Sequence, residues 1–267
     1  MRKNAFNNRL ASQLVKALLL TVVGCSTGVS FGQRVAPKFG KGAVVLEKKL
    51  LLSAKQPNRA LVLWMIDPKK NPREIANDEP YTCPDYTRGS YYSGPVRVSL
   101  INTSTGEILN TIKVLSDYEP DNDSFDLPYA IRKGYYYHVA SSANDAVEHT
   151  PTLIRLRDYN GDGKPFEFAL FDAPACMGLA TTLIGYSETK DRVIQYAVRL
   201  EEIEGTKHST TTTMWADYLL AKKPLSPGLW KYEVDYRGRG GSLDHWEIRY
   251  NAAKEQFEGT VTRIPGD

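Results

Sequence analysis

Cysteine and histidine are scarce here, three and four residues in a chain of 267. No C-x-x-C pair occurs. None of His138, His149, His208 and His245 stands in an H-E-x-x-H arrangement or beside a serine or cysteine in a nucleophile pattern, and Gly185-Tyr186-Ser187 lacks the flanking glycine of a nucleophile elbow. Zinc chemistry, thiol redox catalysis and the common nucleophile sites therefore find no support. Long apolar runs are missing as well: nothing approaches the roughly 20 residues of a membrane-spanning helix. Helical periodicity is absent after the N-terminus, since the one helix-like stretch, Asn251 to Gln256, is too short.

What is present first is a leader. Arg2, Lys3, Arg9 and Lys16 occur with no acid among residues 1–16, and Ala17 to Gly24 follows as an apolar run, the two halves of a secretory signal. Two exits stand open. Ser30-Phe31-Gly32 offers small residues for cleavage before Gln33, while Val22-Val23-Gly24-Cys25 resembles the lipobox of bacterial lipoproteins, which implies a lipidated Cys25 as the first mature residue. The expected organisation is a signal peptide over 1–32, or 1–24 for the lipoprotein, and an exported domain over 33–267, with 33–126 and 127–267 as alternative subdomains. The periplasm or the cell exterior is the expected location, lipid-anchored if Cys25 is used, with no transmembrane segment in the mature chain.

Without the leader the charge excess vanishes. Thirty-four basic residues lose four and face 31 acids, so 30 stand against 31. Nucleic acid, which asks for a clustered basic face, is not an expected partner. Arg237-Gly238-Arg239-Gly240-Gly241 reads as a hairpin connection. Export also leaves Cys83 and Cys176 as the remaining pair. In an oxidising compartment a disulfide between them is expected, worth roughly 4 to 5 kcal/mol for a loop of about 90 residues in the chain-entropy account. The alternative is two buried thiols.

The mature chain alternates apolar and polar residues at period two. Val96, Val98 and Leu100 do so, as do Trp230, Tyr232, Val234 and Tyr236, and then Trp246, Ile248 and Tyr250. This predicts an all-β fold of antiparallel meanders with one face wet. Turn signals sort the strands into about three four-stranded units. The first spans 44–53, 60–67, 96–102 and 108–115. The second spans 152–157, 166–172, 181–186 and 192–200; the third, 211–220, 229–237, 242–250 and 257–263. A β-sandwich or a propeller-like stack follows, with 131–139 as an extra strand. Tyr135-Tyr136-Tyr137 reads as half-buried strand more readily than as an aromatic platform. Two segments are irregular: 68–95, rich in proline and tyrosine, and the acidic 117–126, read as solvated.

The chemically loaded motif is Asp158-Tyr159-Asn160-Gly161-Asp162-Gly163. Oxygen-bearing side chains at alternate positions, closed by a glycine that turns sharply, suit a hard cation such as Ca²⁺. Asp158, Asn160 and Asp162 take the first, third and fifth places, and the Lys164 carbonyl the next. The pattern resembles the EF-hand loop, whose twelfth-place glutamate is Ala169 here, and more closely the loop of FG-GAP and VCBS repeats, which sits between two strands. That resemblance covers roughly ten residues in a single copy. It implies a carboxylate near the ninth place; Phe166 stands there, and Glu167 one residue later reaches the ion only across a bulge. The alternative is a plain Asx and glycine turn without metal.

Carboxylate pairs for glycoside hydrolysis, such as Glu233 with Glu247, lie on faces that read as exposed. The function expected from these residues is an exported cell-envelope binding or interaction module, more a binder than an enzyme, with a weak structural Ca²⁺ and an envelope protein or glycan as partner. A secreted hydrolase acting on polysaccharide or peptide is the alternative.

Overall fold

Strand β2, Arg59–Ile66, reads Arg-Ala-Leu-Val-Leu-Trp-Met-Ile, with apolar residues at seven consecutive places. Such a run fits a strand covered on both faces. In the computed structural model it is so covered. Leu61, Leu63 and Met65 enter a large core with Val96, Val98 and Leu100, whereas Ala60, Val62 and Trp64 form a second cluster with Ile101. Phe39 lies against Trp64 at 5.0 Å between ring centres, and the Trp64 indole N–H donates to Ser99 Oγ at 2.9 Å.

The structure describes residues 38–71, 87–88, 91–115, 123–127, 130–131, 152–175, 178–204, 206–212 and 223–266. They are strands and turns; among them the only helical turn is the 3₁₀ segment Arg237–Arg239. The fold is therefore all-β, as the alternation predicts. Cys25, Cys83, Cys176, His138, His149 and Tyr135 to Tyr137 lie outside the described residues, as does the leader. The described residues belong to one contact unit, Arg34–Asp267.

The six-stranded sheet is ordered β1 (Ala43–Leu50), β2, β5 (Tyr91–Asn102), β3 (Lys69–Asn71), with β6 (Ile108–Lys113) and β7 (Ser124–Leu127) also on β5. β7 straddles the proposed 126/127 division, and the large core takes side chains from both sides of it. The described end of the acidic segment, 123–126, is less solvated than the sequence suggests. Asp123 meets Arg97 at 2.6 Å and Lys113 at 3.8 Å, and Asp126 accepts from Ser93. β4 (Thr87–Arg88) pairs with β8 (Ala130–Ile131), whose Ile131 is the one described residue of the expected extra strand.

A three-stranded sheet, β11 (Arg192–Gln195), β10 (Gly178–Ser187), β9 (Glu167–Ala175), forms a sandwich-like layer on this core. Alternation along β10 divides its residues: Ile184 and Tyr186 join the large core, and Leu183 joins a second core beneath the last sheet. The edges of the first two sheets are joined by side chains. Asn110 donates to Val193 O at 3.0 Å and accepts from Val193 N at 2.9 Å; Gln195 repeats the exchange with Leu115 at 3.0 and 3.1 Å.

The predicted strand 192–200 is two strands. β11 ends at Gln195, and after Tyr196 and Ala197 the chain enters another sheet as β12, Val198–Glu204. The buried Tyr196 side chain sits at this crossing. The last sheet has the order β13 (Thr206–Thr212), β12, β16 (Gln256–Pro265), β15 (Ser242–Asn251), β14 (Leu229–Asp235). Arg237 to Gly241 connects β14 to β15, as expected. β16 inserts between β12 and β15 and runs parallel to β12, a pairing that the all-antiparallel expectation does not contain. Trp230, Trp246, Ile248, Phe257 and Val261 cover the second core from this sheet.

Candidate functional site

The Asp158 loop lies between an isolated bridge, Arg157 to Glu167, and the start of β9. Arg157 N donates to Glu167 O at 2.7 Å, and Glu167 N returns the bond at 3.1 Å. Between these rungs the acidic side chains fold back on the backbone. Asp158 accepts from Gly161 N at 2.7 Å and Gly163 N at 2.9 Å; Asn160 Oδ1 accepts from Asp162 N, and Asp162 Oδ1 from Lys164 N, each at 2.9 Å. Gly161 and Gly163 take φ of +80° and +84°, which suits glycine.

Behind the loop stands Glu167, fully buried. Its carboxyl accepts from Tyr159 N and Asn160 Nδ2, both at 3.0 Å, and from the Tyr196 hydroxyl at 3.3 Å. Burial pushes this carboxyl up to about 8; the Tyr159 and Asn160 hydrogen bonds pull the other way, and the Asp162 and Asp158 charges add to the rise. By holding the Asn160 amide nitrogen, Glu167 turns Asn160 Oδ1 toward the loop interior. Its place is therefore behind the loop, where it orients Asn160. Lys164 sends its ammonium to Glu188 at 2.6 Å, while its carbonyl accepts from Phe166 N at 3.0 Å.

The oxygen set passes a chemical test for a hard cation, because each carboxylate oxygen has a second lone pair beyond the one its backbone N–H occupies. It is a small set. Among the described residues no cluster of three or more His, Cys, Asp or Glu side chains is arranged for a metal, and the loop offers two carboxylates and an amide.

The outer face of the last sheet holds the other concentration of polar groups. Cross-strand register sets Lys231, Glu247, Thr260 and Glu201 in one row, flanked by the row Arg249, Glu258 and Arg199 and by the row Glu233, His245, Thr262 and Ile203. Thr260 and Thr262, short residues on the central strand β16, form a floor between longer walls. The resulting groove, of about 880 Å³, is lined by four basic residues, Arg199, Lys231, Arg249 and Lys254, and four acids, Glu201, Glu233, Glu247 and Glu258.

Both acids of the Glu233 and Glu247 pair are engaged by basic side chains. Glu247 meets Lys231 at 2.7 Å and also Arg249, and these hydrogen bonds hold its carboxyl below the usual range. Glu233 pairs with His245 at 2.8 Å. Glu201 is held low in the same way, chiefly by Lys207 at 2.8 Å. Sequence reasoning missed Glu201, Thr260 and the groove itself. Its signal was the charged half of each alternating strand, which does not say which strands are neighbours. Comparisons with protein families, with curated proteins and with solved structures find no match for this chain.

Proposed function

We propose that this chain is an exported cell-envelope binding module, with the outer face of the last sheet as its contact surface and the Asp158 loop as a structural Ca²⁺ site. The observation that carries the binding reading is the row Lys231, Glu247, Thr260 and Glu201, which crosses a charge-balanced groove with Glu247 and Glu201 held ionised by their basic partners. Carboxylates held ionised, as Glu247 and Glu201 are, favour recognition over acid–base chemistry, where one carboxyl must carry a proton near neutral pH. The described carboxyl that is raised, Glu167, is buried beneath a loop and meets no groove. That weighs against the hydrolase alternative. In the loop, Asp158, Asn160, Asp162 and the Lys164 carbonyl would hold the ion, and the ion would stiffen the turn.

Sedimentation with isolated envelope fragments tests the contact surface. Thr260→Tyr fills the groove floor from the solvent side and suits a strand. Saturable co-sedimentation of the natural protein, lost in Thr260→Tyr at an unchanged melting temperature, is expected. Equal co-sedimentation of the two, or none for the natural protein, removes the reading.

A further inference from the structure

We propose that the groove along β16 takes an uncharged glycan chain. This inference rests on the groove being the contact surface. Four basic and four acidic side chains line it, so it presents no net charge to attract a polyanion or a polycation. Its carboxylates and guanidinium groups flank a threonine floor and are already paired with neighbouring charges, Glu247 with Lys231 and Arg249 and Glu258 with Lys254. The lone pairs and N–H groups left beyond those pairs, with the Thr260 and Thr262 hydroxyls, are what a sugar hydroxyl meets. The walls on β12 and β15 are two strand spacings apart, about 10 Å, which leaves room for one chain of rings.

Beyond the groove the same outer face turns apolar. Next to Thr262 and His245, the outer face continues into Ile203, Leu243 and Ile264, with Ile203 and Ile264 39% and 46% exposed. A sugar ring has the same division, hydroxyls at its rim and C–H bonds on its face. A peptide is the poorer fit. β16 is paired on both sides, by β12 and β15, and so has no free backbone edge to which a peptide could add as a strand. Tyr232 and Trp246 also border the groove, but their rings pack into the second core, which leaves little aromatic surface for stacking, and weak affinity is expected.

Ligand-observed NMR against soluble fragments of neutral glucan, mannan and chitin tests this, with polygalacturonate and a mixed-charge peptide as the other arms. Binding of at least one neutral oligosaccharide is expected, nearly unchanged between low and high salt and weakened about tenfold or more in Thr260→Tyr. Preference for polygalacturonate with strong salt dependence, preference for the peptide, or no neutral ligand at all overturns the proposal. If envelope sedimentation still depends on Thr260 in those cases, the contact surface stands and the glycan assignment alone falls. If sedimentation fails too, both fall.

Discussion

Gly161 and Gly228 meet back to back. A Cβ on Gly161 would lie 2.5 Å from the Pro227 carbonyl carbon, and one on Gly228 would lie 2.5 Å from Asn160 O. The loop is thus seated on the turn that opens β14, and Gly228 O accepts from Tyr250 N of β15 at 2.9 Å. Through this contact and through Tyr196, whose ring meets Tyr250 and Phe257 edge-on, the loop joins the middle sheet to the last one.

Two glycines of the loop should therefore respond differently to alanine. Gly163 has open space around its Cβ position, so Gly163→Ala carries only the left-handed backbone penalty, about 1 to 2 kcal/mol. Gly161→Ala carries that penalty and a collision with backbone, for a total of about 3 kcal/mol or more. Thermal melting should rank natural, then Gly163→Ala, then Gly161→Ala. Equal losses would mean that the contact with Pro227 gives way freely.

Stability should fall as pH rises from about 5 to 8. The Glu167 carboxyl is raised from 4.5 to about 8 by folding, so between those values the folded state binds the extra proton. Raising the pH then favours the unfolded chain by at most about 1.4 kcal/mol per pH unit. Below the unfolded value this penalty is gone, and above about 8 it is complete. Glu167→Gln keeps an acceptor for Asn160 and removes the proton, so its melting temperature should lose this slope. Parallel profiles for the two proteins would remove Glu167 as the cause.

Calcium should stabilise the natural protein weakly. Three side-chain oxygens and one carbonyl suit a dissociation constant of roughly 10⁻⁴ to 10⁻³ M. At about 100 times that constant, linkage adds about 2.7 kcal/mol. Melting curves in chelator and in Ca²⁺ should separate for the natural protein and coincide for Asp162→Ala. Coincident curves for the natural protein leave the loop as a metal-free turn.

Cys83 and Cys176 should be joined in exported material that begins at Gln33 or Cys25. Non-reducing peptide mapping is expected to recover one crosslinked pair, and Cys83→Ala should lower stability as much as Cys176→Ala. Two alkylatable thiols, or an intact Met1, would contradict the respective halves of this expectation.

The loop was legible because its chemistry is consecutive in sequence, and period-two alternation located most described strands. The role of Glu167 was not legible. Its position suggested a ligand, whereas its partners include Tyr196, 29 residues away and placed by the crossing between sheets. The groove was hidden for a similar reason. Thr260 stands between Glu201 and Glu247 only because β16 runs parallel to β12, and no local pattern in 256–265 announces that partner. Alternation tells which side chains share a face of one strand; neighbours across strands depend on topology.

The amide clamps of Asn110 and Gln195 have a consequence for how the molecule responds to its surroundings. Neither side chain titrates, but the same seam is also tied by Arg59 to Asp191 at 2.5 Å, a pair that holds the Asp191 carboxyl below its usual range and gives way only as the pH falls far enough to protonate it. The seam between the middle and last sheets runs through a titratable carboxyl, Glu167. The protein thus has two joints of opposite temperament: rising pH charges the buried carboxyl in the one that carries the grooved sheet, while falling pH loosens the one held by Arg59 and Asp191.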